Sequence, residues 1–336
     1  MTGIIQRGSA FDEGDPEESG GPSASGASRS ADILVIWNPE AGGGAASDDE
    51  RGKRRASIED ALGHHGLDAE LVESNSEDET ARRIDDAIAS GVRTIVAAGG
   101  DGTVRSIAFR LLGREVDLGI LPMGTAMNVA RSLDIPLELD AAVEVLVSGY
   151  ARHVDVGEAR GQPFLEIASI GLGAEVLAGA TEAQEGRLRR AFEMLRRAVR
   201  YPRTRVRLQL DGREVRGRVP SVAIANGRFT GRGMELAPEA RLDDGRFDVL
   251  LFEGFGPVQL LVHLVRVLLG RTDDPRIRRY RAATVRMSAH RPLPIRLDSQ
   301  DIGTTPVEIV TRRGALRVIA PRRPAPSGTP RPTNGP

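Results

Sequence analysis

A glycine-rich segment, Gly99-Gly100-Asp101-Gly102-Thr103, carries the strongest chemical signal in this 336-residue sequence. It follows an apolar run predicted to be a strand and precedes a predicted helix. Glycines in such a place leave backbone N–H groups open to a phosphate, and the start of a helix adds about half a positive charge. An ordinary glycine turn with a capping aspartate is the alternative for this segment alone. In a phosphate site, Asp101 would hold a metal ion or its water.

Two similar loops strengthen the phosphate interpretation. Leu121-Pro122-Met123-Gly124-Thr125 ends another predicted strand, and Asn128 lies just inside the next helix. Two phosphate-type loops at neighbouring strand ends would form one nucleotide site. The segment 37–44 ends the first strand with Asn38 and three glycines, although a plain flexible loop is an alternative. It is not a Walker P-loop, because no Gly-Lys-Ser/Thr follows.

The elements around these loops indicate a doubly wound α/β domain at residues 31–150. Short apolar runs alternate with longer amphipathic segments, which is typical of a parallel sheet covered on both faces. Ligands of such sheets bind at the carboxyl ends of the strands. We predict strands at 33–37, 67–72, 94–98 and 118–121, and helices at 78–90 and 141–148.

After about residue 150 the pattern changes to short β-type segments separated by turn signals such as Asp211-Gly212. This predicts a second domain at 151–320, largely a β-sandwich, with helices at 182–200 and 258–269. The predicted strands are 164–167, 206–210, 221–225, 247–252, 284–287, 295–297 and 316–319. Residues 1–30 and 321–336 are expected to be disordered tails.

Composition narrows the classes of function. The length favours two domains, and the formal net charge of −1 gives no overall attraction to nucleic acid. The absence of cysteine excludes disulfides and thiolate chemistry, and Lys53 is the only lysine. The acidic N-terminus does not read as a signal peptide, and the apolar stretch 258–269 is too short for the roughly 20 residues of a membrane span.

The order Asn-Pro-x-x-Gly, Gly-Gly-Asp-Gly-Thr, Pro-x-Gly-Thr resembles the diacylglycerol kinase catalytic domain, which bacterial lipid kinases and sphingosine kinases share. The similarity continues through Asn226-Gly227, 231–234, 237–245 and 297–300, so that it covers about residues 33–321. It implies an α/β nucleotide-binding domain followed by a β-sandwich, with the active site in the cleft between them. This agrees with the pattern of elements.

The resemblance also implies roles for individual residues. ATP and Mg²⁺ would be the cofactors, and Asp101 would help to place the metal. Asp298 matches the Asp of a late Asp-Gly-Glu triplet that deprotonates the lipid hydroxyl, so Asp101 and Asp298 are the predicted catalytic residues. Asp244 matches a structural magnesium position, although a tight-turn aspartate is the alternative. The predicted ATP contacts are Asn38, Gly99, Gly100, Gly102, Thr103, Gly124, Thr125 and Asn128.

Three departures from the family pattern bear on activity. Ser106, Asn128 and Gln300 stand where the family often has acidic residues. Neutral oxygen ligands bind a hard cation less strongly than carboxylates, whereas Arg105 could contact a phosphate directly. A nucleotide or lipid binder with little activity is therefore an alternative. In that case Asp at position 128 and Glu at position 300 should raise activity.

The predicted function is phosphoryl transfer from ATP to a membrane lipid, diacylglycerol or a sphingoid base, by a cytoplasmic enzyme at the inner membrane face. Arginines flank an apolar stripe in 185–200, which suits transient contact with an anionic membrane surface, although an ordinary surface helix is the alternative. A soluble NAD kinase-like enzyme is a further alternative. We expect no nucleic acid partner and leave a homodimer open.

Overall fold

Strands alternate with helices through the first half of the chain in the computed structural model, which describes residues 33–41, 47–74, 76–175, 201–255, 259, 266 and 274–322. The elements are β1 Ile33–Trp37, α1 Asp48–His64, β2 Glu70–Glu73, α2 Glu77–Ala89, β3 Thr94–Gly99, α3 Asp101–Arg110, β4 Asp117–Pro122, α4 Asn128–Ser132 and α5 Leu139–Ser148. Side-chain caps fix two helix starts, since Ser47 and Ser76 accept hydrogen bonds from the backbone N–H groups of Glu50 and Glu79.

The first four strands form a parallel sheet in the order β2-β1-β3-β4. Strands β1, β3 and β4 are almost wholly buried, because helices cover both faces. Strand β2 lies on one side of β1, whereas β3 and β4 follow on the other side, so the order of the strands changes direction between β1 and β3. The loops that follow these two strands therefore lie side by side, at the place where open α/β sheets bind ligands.

The second half is mostly β-structure. Its strands are β5 Tyr150–Ala159, β6 Gln162–Phe164, β7 Ile167–Gly171, β8 Thr204–Leu210, β9 Arg213–Val219, β10 Ser221–Ala225, β11 Phe229–Thr230, β12 Met234–Glu235, β13 Phe247–Phe252, β14 Ile277–Ala282, β15 Thr284–Ala289, β16 Pro294–Leu297, β17 Gln300–Thr304 and β18 Val307–Ala320.

These strands form a sandwich. One sheet has the order β14-β13-β10-β7-β16-β17, and the strands β18-β15-β8-β9 form the opposite layer. Strand β8 shows why the layers pack, because its residues alternate between buried and exposed along the whole strand. Phe164 and Phe247 stack in the core between the layers, with ring centroids 5.7 Å apart.

Strand β18 joins the two domains. Its first residues pair with β15 in the sandwich, whereas its last residues run parallel to β4, with Arg317 opposite Asp117. Leu316, Val318 and Ala320 consequently pack in the core of the α/β domain. The last residues of β18 thus complete the sheet of the first domain, and a single sheet runs through both domains.

The predicted fold class, an α/β domain followed by a β-sandwich, is confirmed. The predicted strand at 164–167 is wrong, because β6 ends at Phe164 and β7 begins at Ile167. The predicted helices at 182–200 and 258–269 and the predicted tails, apart from a few residues, lie outside the described residues. Among the described residues, no helix is both long enough and apolar enough to span a bilayer.

Candidate active site

Three loops meet at the carboxyl ends of β1, β3 and β4. Asn38 follows β1 and donates a hydrogen bond from Nδ2 to Oγ1 of Thr103, over 3.2 Å. The backbones of Gly100 and Gly124 touch, because a Cβ built on Gly124 would lie 2.7 Å from Cα of Gly100. Larger residues would push the two loops apart. The predicted grouping of these loops is therefore what the fold produces.

Helix α3 opens into this cleft without a side-chain cap. Its N-cap is Gly100, and no side chain of the described residues accepts a hydrogen bond from the first helical N–H groups. Gly102 is exposed, and a Cβ built on it would meet nothing within 4 Å. Free N–H groups, the positive end of the helix dipole and open space together suit a phosphate group. Thr125 is exposed on the neighbouring loop.

Asp101 ties the two glycine loops together. Its carboxylate accepts hydrogen bonds from the backbone N–H groups of Met127, over 2.8 Å, and Asn128, over 2.6 Å. Met127 has the left-handed backbone conformation, with φ 51°, that turns both N–H groups toward the carboxylate. Burial raises the pKa of Asp101, and the amide hydrogen bonds oppose that rise. The carboxylate is thus fixed in orientation at the base of the cleft.

A carboxylate that the sequence analysis did not select, Glu166, lies beside Asn128. The side-chain amide of Asn128 donates to Oε2 of Glu166 over 2.8 Å and to the carbonyl of Gly231 over 3.0 Å. Asn128 is only 2% exposed, and its Oδ1 is buried without a hydrogen-bond partner among the described residues. Where the family pattern often has an acid at position 128, this protein has an amide next to a carboxylate from the turn between β6 and β7.

The backbone around Glu166 is held firmly. Its N–H donates to Oδ1 of Asp298 over 3.0 Å, and its carbonyl accepts from the N–H groups of Asn226 and Gly227. Buried Asn226 also donates to the carbonyl of Leu165 over 3.0 Å. One sequence signal could have revealed Glu166, since it is a lone charge within an apolar run, and such a charge is seldom buried without a function or a partner.

The three carboxylates form one electrostatic group. Burial raises the pKa of Glu166 well above its ordinary value, and the negative charges of Asp298 and Asp101 raise it further. Asn128 and Arg105 act in the opposite direction. A carboxyl group with this combination of burial and like charge is a frequent feature of functional sites.

Asp298 has its oxygens engaged by the backbone. The carboxylate accepts from the N–H groups of Leu165, Glu166 and Ile167, over 2.9 to 3.0 Å. These bonds interrupt the strand predicted at 164–167, because the three amides bind a side chain instead of a neighbouring strand. Burial raises the pKa of Asp298, and the amides partly offset that rise.

Arg105 links the two domains beside this group of carboxylates. It lies one turn after Asp101 on α3, and its guanidinium donates to the hydroxyl of Ser299, next to Asp298. Its positive charge lowers the pKa of both Glu166 and Asp298. A cation in this place suits the phosphate groups of a nucleotide.

Asp244 lies away from this group. Its carboxylate pairs with Arg281 and accepts from the N–H of Arg246 over 3.0 Å. Within the described ranges, no three His, Asp or Glu side chains are arranged to hold a metal ion. Mg²⁺ in kinase sites commonly uses one or two carboxylates together with nucleotide phosphates and water, and Asp101 and Glu166 fit that requirement. The magnesium role of Asp244 stays a prediction.

Comparison with known proteins agrees with this architecture. Residues 32–159 match the diacylglycerol kinase catalytic domain, and residues 167–320 match the YegS C-terminal NAD kinase beta sandwich-like domain. A Pseudomonas aeruginosa PAO1 protein named "Probable lipid kinase YegS-like" is 36% identical over 253 residues, which is 73% of this chain and 82% of that protein. A Pseudomonas fluorescens Pf-5 protein of the same name is 34% identical over 273 residues, covering 80% of this chain and 90% of its own.

A solved structure supports the fold. The crystal structure of a diacylglycerol kinase from Bacillus anthracis superposes with a TM-score of 0.67 at 21% identity, covering 87% of this chain and 97% of that one. The fold and the matched domains define a two-domain kinase. The chain belongs to the family of YegS-like lipid kinases, which carry the diacylglycerol kinase catalytic domain.

Proposed function

We propose that this enzyme transfers the γ-phosphate of Mg-ATP to a hydroxyl of a membrane lipid, such as diacylglycerol or a sphingoid base, at the inner face of the cytoplasmic membrane. One observation carries the proposal. The uncapped start of α3 lies beside Asp101, and Asn128 connects Asp101 to Glu166. This arrangement would join a phosphate site and two carboxylates in one cleft, as phosphoryl transfer to an alcohol requires.

The nucleotide phosphates would bind at the three loops. Gly100, Gly102 and Thr103 offer backbone N–H groups at the start of α3, and Gly124 lets the neighbouring loop approach closely. Asn38 holds Thr103 in position through its side-chain amide. Arg105 would add a positive charge near the transferred phosphate. Thr125 and Asn128 complete the proposed ATP contacts.

Asp101 and Glu166 would hold the metal of Mg-ATP. Bound Mg²⁺ neutralises the charge that develops on the phosphates during transfer. The oxygens of Asp101 already accept amide hydrogen bonds, so this carboxylate would reach the metal with its remaining lone pairs. The buried Oδ1 of Asn128 is a further oxygen without a partner in the described part of the chain.

Removal of the hydroxyl proton needs a base, and two residues are candidates. Asp298 is the base that the family resemblance implies. Glu166 is the other candidate, since burial and the charges of Asp298 and Asp101 raise its pKa and one of its oxygens remains unengaged by the described residues. In this role it would leave the metal to Asp101. In that arrangement Asp298 would position Glu166 through the backbone N–H that it binds. A positioned base is worth roughly 10²–10⁴-fold in rate.

The alternative of a weakly active binder rests on the missing acids at 106, 128 and 300. Glu166 weakens that alternative, because a carboxylate adjoins Asn128 even though position 128 itself is neutral. Gln300 is exposed at the start of β17, where an acid would face solvent. The sandwich domain resembles that of NAD kinase in its fold. NAD is therefore tested as a control acceptor.

The test is transfer of labelled γ-phosphate from Mg-ATP into extracted bacterial lipids. Wild type should label a lipid, Asp101→Ala and Glu166→Gln should lose at least about 100-fold, and Glu70→Gln should match wild type because Glu70 is an exposed carboxylate on β2. ATP binding is measured in parallel by calorimetry. Wild type that binds ATP yet labels no lipid would rule out the proposal, and labelling of NAD alone would move the acceptor to a soluble molecule.

A further inference from the structure

The outer face of β8 and β9 carries four exposed arginines in two cross-strand pairs. Arg205 lies opposite Arg218, and Arg207 lies opposite Arg216. Like charges directly opposite one another on neighbouring strands are destabilising. These four residues are called the arginine face below. Their arrangement needs a compensating negative charge.

The described residues supply only part of that charge. Glu214 pairs with Arg216 and lies 3.9 Å from Arg207. Within the part of the chain that the structure describes, neither Arg205 nor Arg218 forms an ion pair. The end of the face formed by these two residues is therefore open to an anionic partner.

The shape of the surface favours a broad partner. An open depression of about 600 Å³ lies along the arginine face and extends to Ser288 and His290. A second depression of about 460 Å³ continues across β15 and includes Arg286. None of the described residues that line the two depressions is Phe, Tyr or Trp, so this part of the surface offers no stacking platform of the kind that single-stranded nucleic acids use.

We propose that the arginine face binds the anionic headgroups of a phospholipid bilayer. Guanidinium groups bind phosphate oxygens in a bidentate manner, and the lipid charge would offset the repulsion within each arginine pair. Several basic residues on one exposed face add their attraction to an anionic membrane. The choice of a bilayer as the occupant rests on the proposed function, because a lipid kinase must reach a substrate that stays in the membrane.

The experiment uses the full-length protein and extruded vesicles of phosphatidylcholine, with or without phosphatidylglycerol at about one third of the lipid. Co-sedimentation is compared for wild type, Arg205→Gln/Arg218→Gln and Arg82→Gln/Arg83→Gln. The last variant removes two exposed arginines from α2 and is the charge-matched control. Gln is a suitable replacement because Gln209 already occupies the same face of β8. Binding of a fluorescent oligonucleotide is measured beside it.

We expect wild type and the α2 variant to bind phosphatidylglycerol vesicles, with roughly 30-fold weaker binding by Arg205→Gln/Arg218→Gln. Equal binding by all three proteins, equal loss in both variants, or no binding by wild type would each overturn the proposal. Loss confined to oligonucleotide binding would assign the face to nucleic acid instead. Phosphorylation of lipid in uncharged detergent micelles tests the proposed function separately, since it needs no vesicle surface.

Discussion

Asn128→Asp is the substitution for which the sequence and the structure predict opposite results. The family pattern has an acid at this position, so the sequence suggests that Asp would raise activity. In the structure the Asn128 amide donates to Glu166 over 2.8 Å and to the carbonyl of Gly231 over 3.0 Å. Asp would replace both donated hydrogen bonds by oxygen–oxygen contacts. We therefore expect Asn128→Asp alone to be destabilised and less active.

The distance sets the scale of the effect. Two full charges 2.8 Å apart would repel by about 6 kcal/mol at an effective dielectric constant of about 20. Keeping one of the two carboxyls protonated at pH 7 costs less, at most about 4 kcal/mol from its ordinary pKa of about 4.3. Proton uptake therefore limits the penalty, and it is smaller still because the pKa of Glu166 is already raised. We expect a loss of about 1–4 kcal/mol in the free energy of unfolding, or several degrees in Tm.

The assay is a double-mutant cycle of wild type, Asn128→Asp, Glu166→Gln and the double variant, followed by calorimetric Tm and by lipid phosphorylation. Glu166→Gln should keep its Tm, because Gln is isosteric and can still accept from Asn128, yet it should lose activity. The double variant again has one carboxylate and one amide, so it should recover stability and part of the activity. Asn128→Asp with wild-type Tm and increased phosphorylation would refute the reasoning and favour the sequence-based expectation.

Three further predictions concern single positions. Gly102→Ala should keep its Tm, because nothing lies within 4 Å of the added Cβ, but it should lose ATP affinity by titration calorimetry. Equal ATP affinity in Gly102→Ala and wild type would argue against a phosphate there. Gly99→Ala, in contrast, should lower Tm because its Cβ would lie 2.5 Å from Thr103. Asp298→Asn should lower Tm as well as kcat, because an amide cannot accept all three backbone N–H bonds; unchanged Tm would remove the positioning role. Burial raises the pKa of Asp248 to about 6. The stability that its protonated form contributes is therefore lost as the pH rises from about 4 to about 6. The Tm advantage of Asp248→Asn should be larger at pH 7.5 than at pH 4.5, and a constant difference would contradict this.

The three loops proposed to bind the nucleotide could be predicted from the sequence because their sequence signals are local. Glycines after apolar runs mark strand ends, and parallel strands bring their ends to one edge of the sheet. Asn38, Gly100 and Gly124 therefore meet as the pattern indicates. The strand bounds also follow closely from apolar runs, as at 33–37 and 221–225.

The contacts among Asn128, Glu166 and Asp298 could not be predicted in the same way. Glu166 and Asn128 are 38 positions apart, and Asp298 reaches the amides around Glu166 from 132 positions away. Sequence spacing does not indicate these contacts, because Asn128 belongs to the first domain and Glu166 lies in a turn of the second. The same reason explains the error at 164–167, where a distant carboxylate takes the backbone N–H groups that a strand would otherwise use.

The sequence by itself determined the class of fold, the order of the domains and the three glycine-containing loops at the strand ends, because local periodicity and turn residues encode them. Only the tertiary structure decided which carboxylate faces Asn128, that Asp298 binds backbone amides, and that β18 returns to complete the first sheet. These are contacts between segments distant along the chain. They depend on hydrogen bonds that the turn between β6 and β7 makes with α4 and with Asp298 after β16, and on the pairing of β18 with β4. Such contacts carry no short-range sequence signature.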